Sequence, residues 1–261
     1  MSDRLVKVAL DTVSICKSET YTFGNQTVKI KIKPSVYYPP DFVSEVLSKH
    51  GEALNISVSN ETTLEAGYKH KDKHVCMLNF ASAKNPGGGF LRGSKAQEED
   101  LACASGLYWT IKDQKEFYDL ANRSFPPVYT DAVIYSQNVP VFKDSKYRLL
   151  EVPWYGDFIT CAAPNLRALE FQNWSGDIRG IFKKRIIQML SIASIYKPDV
   201  LILGAWGCGV FGNDPALVAL LFDEALNETC LGLFSEVIFA VPFNTVNLEA
   251  FVKQFGRQEN A

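Results

Sequence analysis

The sequence predicts an α/β fold, a mixed sheet layered between helices. Three observations carry that expectation. Continuous apolar runs suit strands buried on both faces: VCMLNFA from Val75, FITCAA from Phe158, DVLIL from Asp199 and EVIFAVPF from Glu236. Segments of helical period alternate with them. The plainest runs from Ile178 to Tyr196, where Ile178, Ile181, Ile186, Ile187, Leu190 and Ile195 share a broad face. Glycine-rich strings follow two of the strands, at the ends where sheets of this class bind ligands.

Taken in order, residues 1–20 are helix-like, with Leu5, Val8, Ala9, Val13 and Ile15 apolar. TYTFGNQTVKIKI alternates apolar and polar residues around Gly24-Asn25, a hairpin signal. KPSVYYPPD is a proline-rich connection, and Asp41 is placed to cap a short helix to His50. ALNISVSN reads as a strand, with Asn60 or Thr62 capping a helix through Tyr68. KHKDKH, from Lys69 to His74, is a solvated turn. After the strand Val75 to Phe80, a helix is expected from Gln97 to about Trp109, and a second from Ile111 to Ala121. AVIYSQNVPVF and the run into EVPWYGDFITCAAPN give two short strands. The last helices are Pro215 to Asn227 and about Asn247 to Phe255, and the tail GRQENA is expected to fray. No repeat or domain boundary stands out. Residues 1–261 are therefore read as one domain, with 1–70 as an extension packed on it.

Composition narrows the function classes. The chain is 47% hydrophobic and 21% charged, ordinary for a sizeable core. Its net charge of −2 argues against a broad basic surface for duplex nucleic acid. The start MSDRLVKVALD has no apolar run of a secretory signal. No segment reaches the roughly 18 apolar residues of a membrane span. The six cysteines are scattered without a CxxC pair, and the three histidines offer no spaced metal set. The expectation is an intracellular protein with reduced thiols, cytoplasmic or, in a eukaryote, nuclear. No metal or cofactor is expected.

Three strand exits hold the candidate site. The first carries three consecutive glycines, Gly87, Gly88 and Gly89, and then Gln97, Glu98 and Glu99 at a helix start. Glycine lets backbone N–H groups approach a ligand closely. Carboxylates beside such a loop suit acid–base work next to a phosphate or sugar. A Glu in a first helical turn also simply suits the helix dipole. Beside an anion loop, however, two of them are surplus charge that needs a task. Adjacent helical residues point about 100° apart, so the two cannot be opposed jaws across one bond. One would do the chemistry while the other positions substrate. The second exit is Ala162 to Asn165. The third, GAWGCGVFGNDP, has Gly204, Gly207, Gly209 and Gly212, a backbone nest for phosphate oxygens, with Asn213 or Asp214 to cap the next helix. Tight-turn packing is the plain alternative for either glycine loop taken alone. Neither fits a Walker loop or GxGxxG at Rossmann spacing.

GGG, seven residues, then QEE resembles the signature of poly(ADP-ribose) glycohydrolases. LNFASAKNPGGGFL, YTDAVIYSQNVPVFKD, ITCAAPN and LGAWGCGVFGNDP are similar to the compact microbial-type branch, in order and over nearly the whole chain. The resemblance implies a macrodomain-like sheet that binds ADP-ribose in a cleft at strand ends. It implies Glu99 as the catalytic acid–base and Glu98 as the residue holding ribose beside the scissile bond. Gln97 would be a ribose-binding amide. Gly87, Gly88 and Gly89 would wrap the diphosphate. Gly207, Cys208, Gly209, Val210 and Phe211 would form the second diphosphate loop, with Phe211 against the distal ribose. Phe243 is an adenine-platform candidate, with a core aromatic as its plain alternative. Asn79, Ser82 and Asn85 lie where the family contacts ribose, and the sequence does not say which points inward. Cys103-Ala104-Ser105 departs from the Arg-Ser-Ser-like sequence usual there.

The implied activity is hydrolysis of the ribose–ribose O-glycosidic bond in poly(ADP-ribose), from chain termini, releasing ADP-ribose. Two alternatives stand beside it: a mono-ADP-ribosyl hydrolase on protein or nucleic acid, and a non-catalytic ADP-ribose reader. The expected partners are poly(ADP-ribose) or ADP-ribosylated proteins as substrate and ADP-ribose as product. No membrane or duplex nucleic acid is expected, and the expected state is a monomer.

Overall fold

A computed structural model describes residues 2–42, 54–229, 233–243, 245–256 and 258–259. Helix α1 (Asp3–Ser18) is followed by the hairpin of β1 (Thr20–Phe23) and β2 (Gln26–Lys29), then β3 (Val36–Tyr38). The helix expected from Asp41 to His50 lies outside the described residues. β4 (Asn55–Ser59) leads into α2 (Thr63–Lys69). Of the two candidate caps, Thr62 is the one used: its hydroxyl accepts from the Glu65 N–H, and Glu65 accepts in return from the Thr62 N–H. β5 (Val75–Phe80) runs into the glycine loop, which contains a 3-10 turn at Phe90–Arg92. Then come α3 (Gln97–Ala104), α4 (Leu107–Ile111) and α5 (Lys115–Arg123). β6 (Val133–Lys143), β7 (Leu149–Cys161), α6 (Leu166–Glu170), α7 (Ile178–Tyr196), β8 (Val200–Leu203), α8 (Pro215–Thr229), β9 (Glu236–Ala240), α9 (Val246–Phe255) and β10 (Gln258–Glu259) complete the chain.

The described strands form one mixed sheet in the order β10-β4-β9-β8-β5-β7-β6-β3, beside the separate β1-β2 hairpin. β4, β9, β8, β5 and β7 run parallel, while β6 and β3 close one edge antiparallel. Period-2 alternation explains why the central strands are apolar throughout. On β5, Cys76 and Leu78 pack with Ile186, Leu190 and Phe222 of α7 and α8. Val75 and Met77 pack the other way, with Leu64, Leu101 and Leu107 of α2, α3 and α4. The parallel strands all end on one edge of the sheet, so the exits after Phe80, Cys161, Leu203 and Ala240 converge there.

Four expectations are corrected. The extension does not reach residue 70. β4 pairs with β9 inside the main sheet, and Val58 is fully buried in its core. The two "short" strands are an 11- and a 13-residue antiparallel pair, β6 and β7, and register shifts let them continue past Gln137-Asn138. The helix expected to reach Trp109 breaks at Ser105, which is extended and bridges to Val141, and the Gly106 N–H bonds Pro140 O at 2.9 Å. On α7, Ile195 is 45% exposed while Ile192 is buried, which rotates the buried face from the one read off the isoleucines.

Candidate active site

The site is built where α3 starts above the end of β5. Gln97 pins the two together. Its Oε1 accepts from the Phe80 N–H at 2.9 Å, and its Nε2 donates to Leu78 O at 2.7 Å and to Thr63 Oγ1 at 3.1 Å. One residue on, Glu98 turns inward: Oε2 accepts from the Ser82 N–H at 2.7 Å and Oε1 from Asn79 Nδ2 at 3.3 Å. Glu99 turns toward the glycine loop, where its Oε1 accepts from the Gly89 N–H at 2.7 Å. Both carboxylates are nearly closed off, Glu98 at 3% and Glu99 at 8% exposure.

The glycines are what permits this. Gly87 and Gly88 hold φ of +68° and +59°. A Cβ on Gly88 would collide with Glu99 Oε1 and stand 3.1 Å from Glu98 Oε2. The loop is closed by the Gly88 N–H to Asn85 O at 2.9 Å and the Ser94 N–H to Gly89 O at 3.2 Å. Burial pushes the Glu98 carboxyl up to about 8. The adjacent Glu99 charge adds to that push, and the Ser82 N–H and Asn79 amide oppose it.

Asn79 is fully buried and divides its N–H groups between Glu98 and Thr160 Oγ1, leaving Oδ1 without a partner. As placed, neither Asn79 nor Gln97 has an N–H left for a ligand. Their N–H groups brace the corner, while Gln97 also lines the cleft. Ser82 also faces its own loop, accepting from the Lys84 and Asn85 N–H groups. Asn85 is exposed at the loop's tip.

A cleft of about 490 Å³ runs past this corner. Ala81, Gln97 and Leu101 line one side, and Gly207, Phe211 and Phe243 the other. Its wall passes through Ala81 and Gln97, the chain neighbours of Ser82 and Glu98. In the second loop Gly207 adopts φ +77°, and a Cβ there would meet Ala163 at 2.6 Å. Asn213 locks this loop to the β7 exit through Pro164 O at 2.8 Å and Gly207 O at 2.9 Å. Asp214 supplies the cap, accepting from the Ala216 N–H at 3.0 Å. Phe211 leans on Tyr129 with ring centroids 6.0 Å apart. Burial pushes the Cys208 thiol up to about 12, which leaves it protonated. Val210 and Phe243 stand 73% and 76% exposed where they line the cleft. Phe243 is therefore not the core aromatic of the plain alternative, and it holds φ +80°, costly for a non-glycine.

Among the described residues no group of three His, Cys, Asp or Glu side chains is arranged for a metal ion. No described helix is long and apolar enough to cross a membrane.

The sequence profile of the microbial-type PARG catalytic domain matches residues 9–144. The chain belongs to the microbial-type PARG family. Solved PARG structures extend the similarity over the rest of the chain. The poly(ADP-ribose) glycohydrolase of Thermomonospora curvata, bound to the inhibitor ADP-HPD, is 38% identical with a TM-score of 0.88. The alignment covers 97% of this chain and 100% of that one. The Deinococcus radiodurans enzyme in complex with ADP-ribose is 38% identical with a TM-score of 0.79, covering 84% and 93%. No curated protein matches the chain.

Several residues of this PARG support the site in ways the motifs do not announce. Thr160 supports Asn79 from β7, and Asn213 holds the second loop as well as preceding the cap. Asp100 lines the cleft one residue beyond the two glutamates and accepts from the Tyr147 hydroxyl. Asp100 had a sequence signal as the third acid of QEED, and Asn213 as a cap candidate. The Thr160–Asn79 and Asn213–Pro164 pairings join distant segments.

Proposed function

We propose that this microbial-type PARG hydrolyses the ribose–ribose O-glycosidic bond of poly(ADP-ribose) at chain termini and releases ADP-ribose. The observation that carries the reading is the Glu98–Glu99 pair, held against Gly88 and Gly89 between Gln97 and Asp100, which line the cleft. Gly87 to Gly89 and Gly207 to Phe211 wrap the diphosphate from two sides, where the absence of side chains lets the backbone come close. Phe211 packs on the distal ribose, and Phe243 offers its exposed ring to adenine. Glu98 holds the ribose next to the scissile bond.

Glu99, in its acid form, gives its proton to the departing ribose oxygen while the C–O bond breaks. The anomeric carbon becomes oxocarbenium-like, and the diphosphate stabilises that charge. Glu99, now a carboxylate, takes a proton from water as the water adds to the anomeric carbon. The Gly89 N–H fixes the oxygen that takes part. Proton donation of this kind contributes roughly 10²–10⁴ in rate. Glu99→Gln is therefore expected to bind ADP-ribose normally and to lose turnover by about that factor or more. Turnover near the parent's would sink the assignment.

A second reading has one observation behind it. Glu98 is the carboxyl held up to about 8 by burial, so it carries a proton at neutral pH. If Glu98 were the donor, Glu98→Gln would lose the pH-dependent limb of the rate while Glu99→Gln kept it.

A further inference from the structure

We infer that the cleft opens onto a basic shelf that holds a phosphate of a second ADP-ribose unit of the polymer. The inference rests on the substrate reading above and names how more than the terminal unit is bound. The cleft does not close at Lys95 and Tyr147. Both residues also border an open depression of about 630 Å³, completed by Arg4 of α1 and by Gly93 and Ser94.

This depression is one turn of chain from the proposed acid. Ser94 N–H bonds Gly89 O at 3.2 Å, and Gly89 N–H bonds Glu99. Gly93, at φ +73°, packs against the backbone of Ser2, with a Cβ there only 2.6 Å from Ser2 O, so α1 forms the far wall directly.

The shelf's charge is not spent elsewhere. Arg4 and Lys95 are exposed, and neither forms an ion pair among the described residues. Of the acids nearby, Asp100 feels the Lys95 charge without forming an ion pair with it. Asp3 lies in the first turn of α1, and the Asp100 carboxyl accepts from the Tyr147 hydroxyl. Burial pushes the Tyr147 phenol up, and the Arg4 charge opposes that push, which places Arg4 within reach of the shared wall.

Each polymer unit carries two phosphates. With a net charge of −2 the general surface offers such a strand nothing. Two exposed cations without an ion pair, at the mouth of the cleft, supply a local counter-charge, and binding there is salt-dependent. Arg4 does not line the cleft itself, so ADP-ribose bound there is expected to be indifferent to it.

The test uses Glu99→Gln so that the polymer survives. Calorimetry would compare ADP-ribose with size-fractionated poly(ADP-ribose) of two to four units, at low and high salt. A second protein would add the exposed Arg4→Glu change. The expected result is an oligomer affinity roughly tenfold above that of ADP-ribose. That gain should shrink with salt and be largely lost in Arg4→Glu, with ADP-ribose affinity unchanged. Equal affinity for oligomer and monomer, or a gain that survives Arg4→Glu, overturns the shelf and leaves the proposed function standing. Failure of ADP-ribose itself to bind the parent protein overturns the proposed function, and the shelf with it.

Discussion

At Gly88 the loop has no room for a side chain. Gly24, in the β1-β2 hairpin, has nearly the same φ but open space where a Cβ would go. Gly24→Ala should therefore cost only the left-handed penalty, roughly 1–2 kcal/mol. Gly88→Ala should cost about as much again or more, because the methyl pushes into Glu99 and Glu98. It should also lower turnover, since both carboxylates must shift. Denaturant melts and rates on the two variants separate these effects, and equal rates in both would show that the close approach is irrelevant to chemistry. Glu98 gives a pH signature. Its carboxyl rises from 4.5 to about 8 in the fold, so the folded state holds the proton more tightly. The associated stability is fully present below about pH 4.5 and is lost as pH rises through 8. Between those limits Glu98→Gln should become progressively more stable than the parent, by on the order of a few kcal/mol at the alkaline end. A stability difference flat across that window would mean Glu98 is not held protonated.

At the scale of elements, α1 braces the site from behind. Thr12 of α1 donates to Cys103 O at 2.7 Å at the end of α3 and accepts from the buried Lys143 Nζ at 2.7 Å. Lys143 also pairs with Asp11 at 2.7 Å. Ala9 packs with Phe90 of the glycine-loop turn and with Ala102 and Cys103 of α3. One helix thus touches both halves of the catalytic corner. Thr12→Val keeps the shape but leaves the Cys103 carbonyl and a Lys143 N–H without partners, a cost of about 1–3 kcal/mol. The expected readout is a lower denaturant midpoint with unchanged slope, and an unchanged midpoint would show that this brace contributes nothing. Of Cys103-Ala104-Ser105, which departs from the Arg-Ser-Ser-like sequence the resemblance implies, Cys103 packs on that helix while Ala104 joins the core on the other side with Leu64 and Leu107. Cys103 is buried and Ser105 Oγ bonds Leu101 O at 2.7 Å.

At the scale of the whole molecule, the parallel strands bring residues from 79 to 243 to one edge of a sheet. Much of that was legible in the chain. The runs VCMLNF and VLIL are apolar at every position because both faces of those strands are covered. The GGG and QEE motifs had to lie close together because only a few residues separate them. The strand-end rule then placed both glycine loops on one side. What the chain could not show depends on contacts that close only in three dimensions. Asn79 and Gln97 look like ligand contacts in sequence, since polar side chains beside a glycine loop invite that reading. In the fold their N–H groups bond Glu98, Thr160, Thr63 and the backbone of β5, partners that only the arrival of distant segments could set. The sequence alone determined the layers, the two loops and the identity of the paired glutamates, through periodicity and short-range spacing. The tertiary structure alone decided which carboxyl is forced to keep its proton, which helix braces the corner, and where two unpaired cations meet the cleft. Each of these depends on burial and on neighbours far apart in the chain.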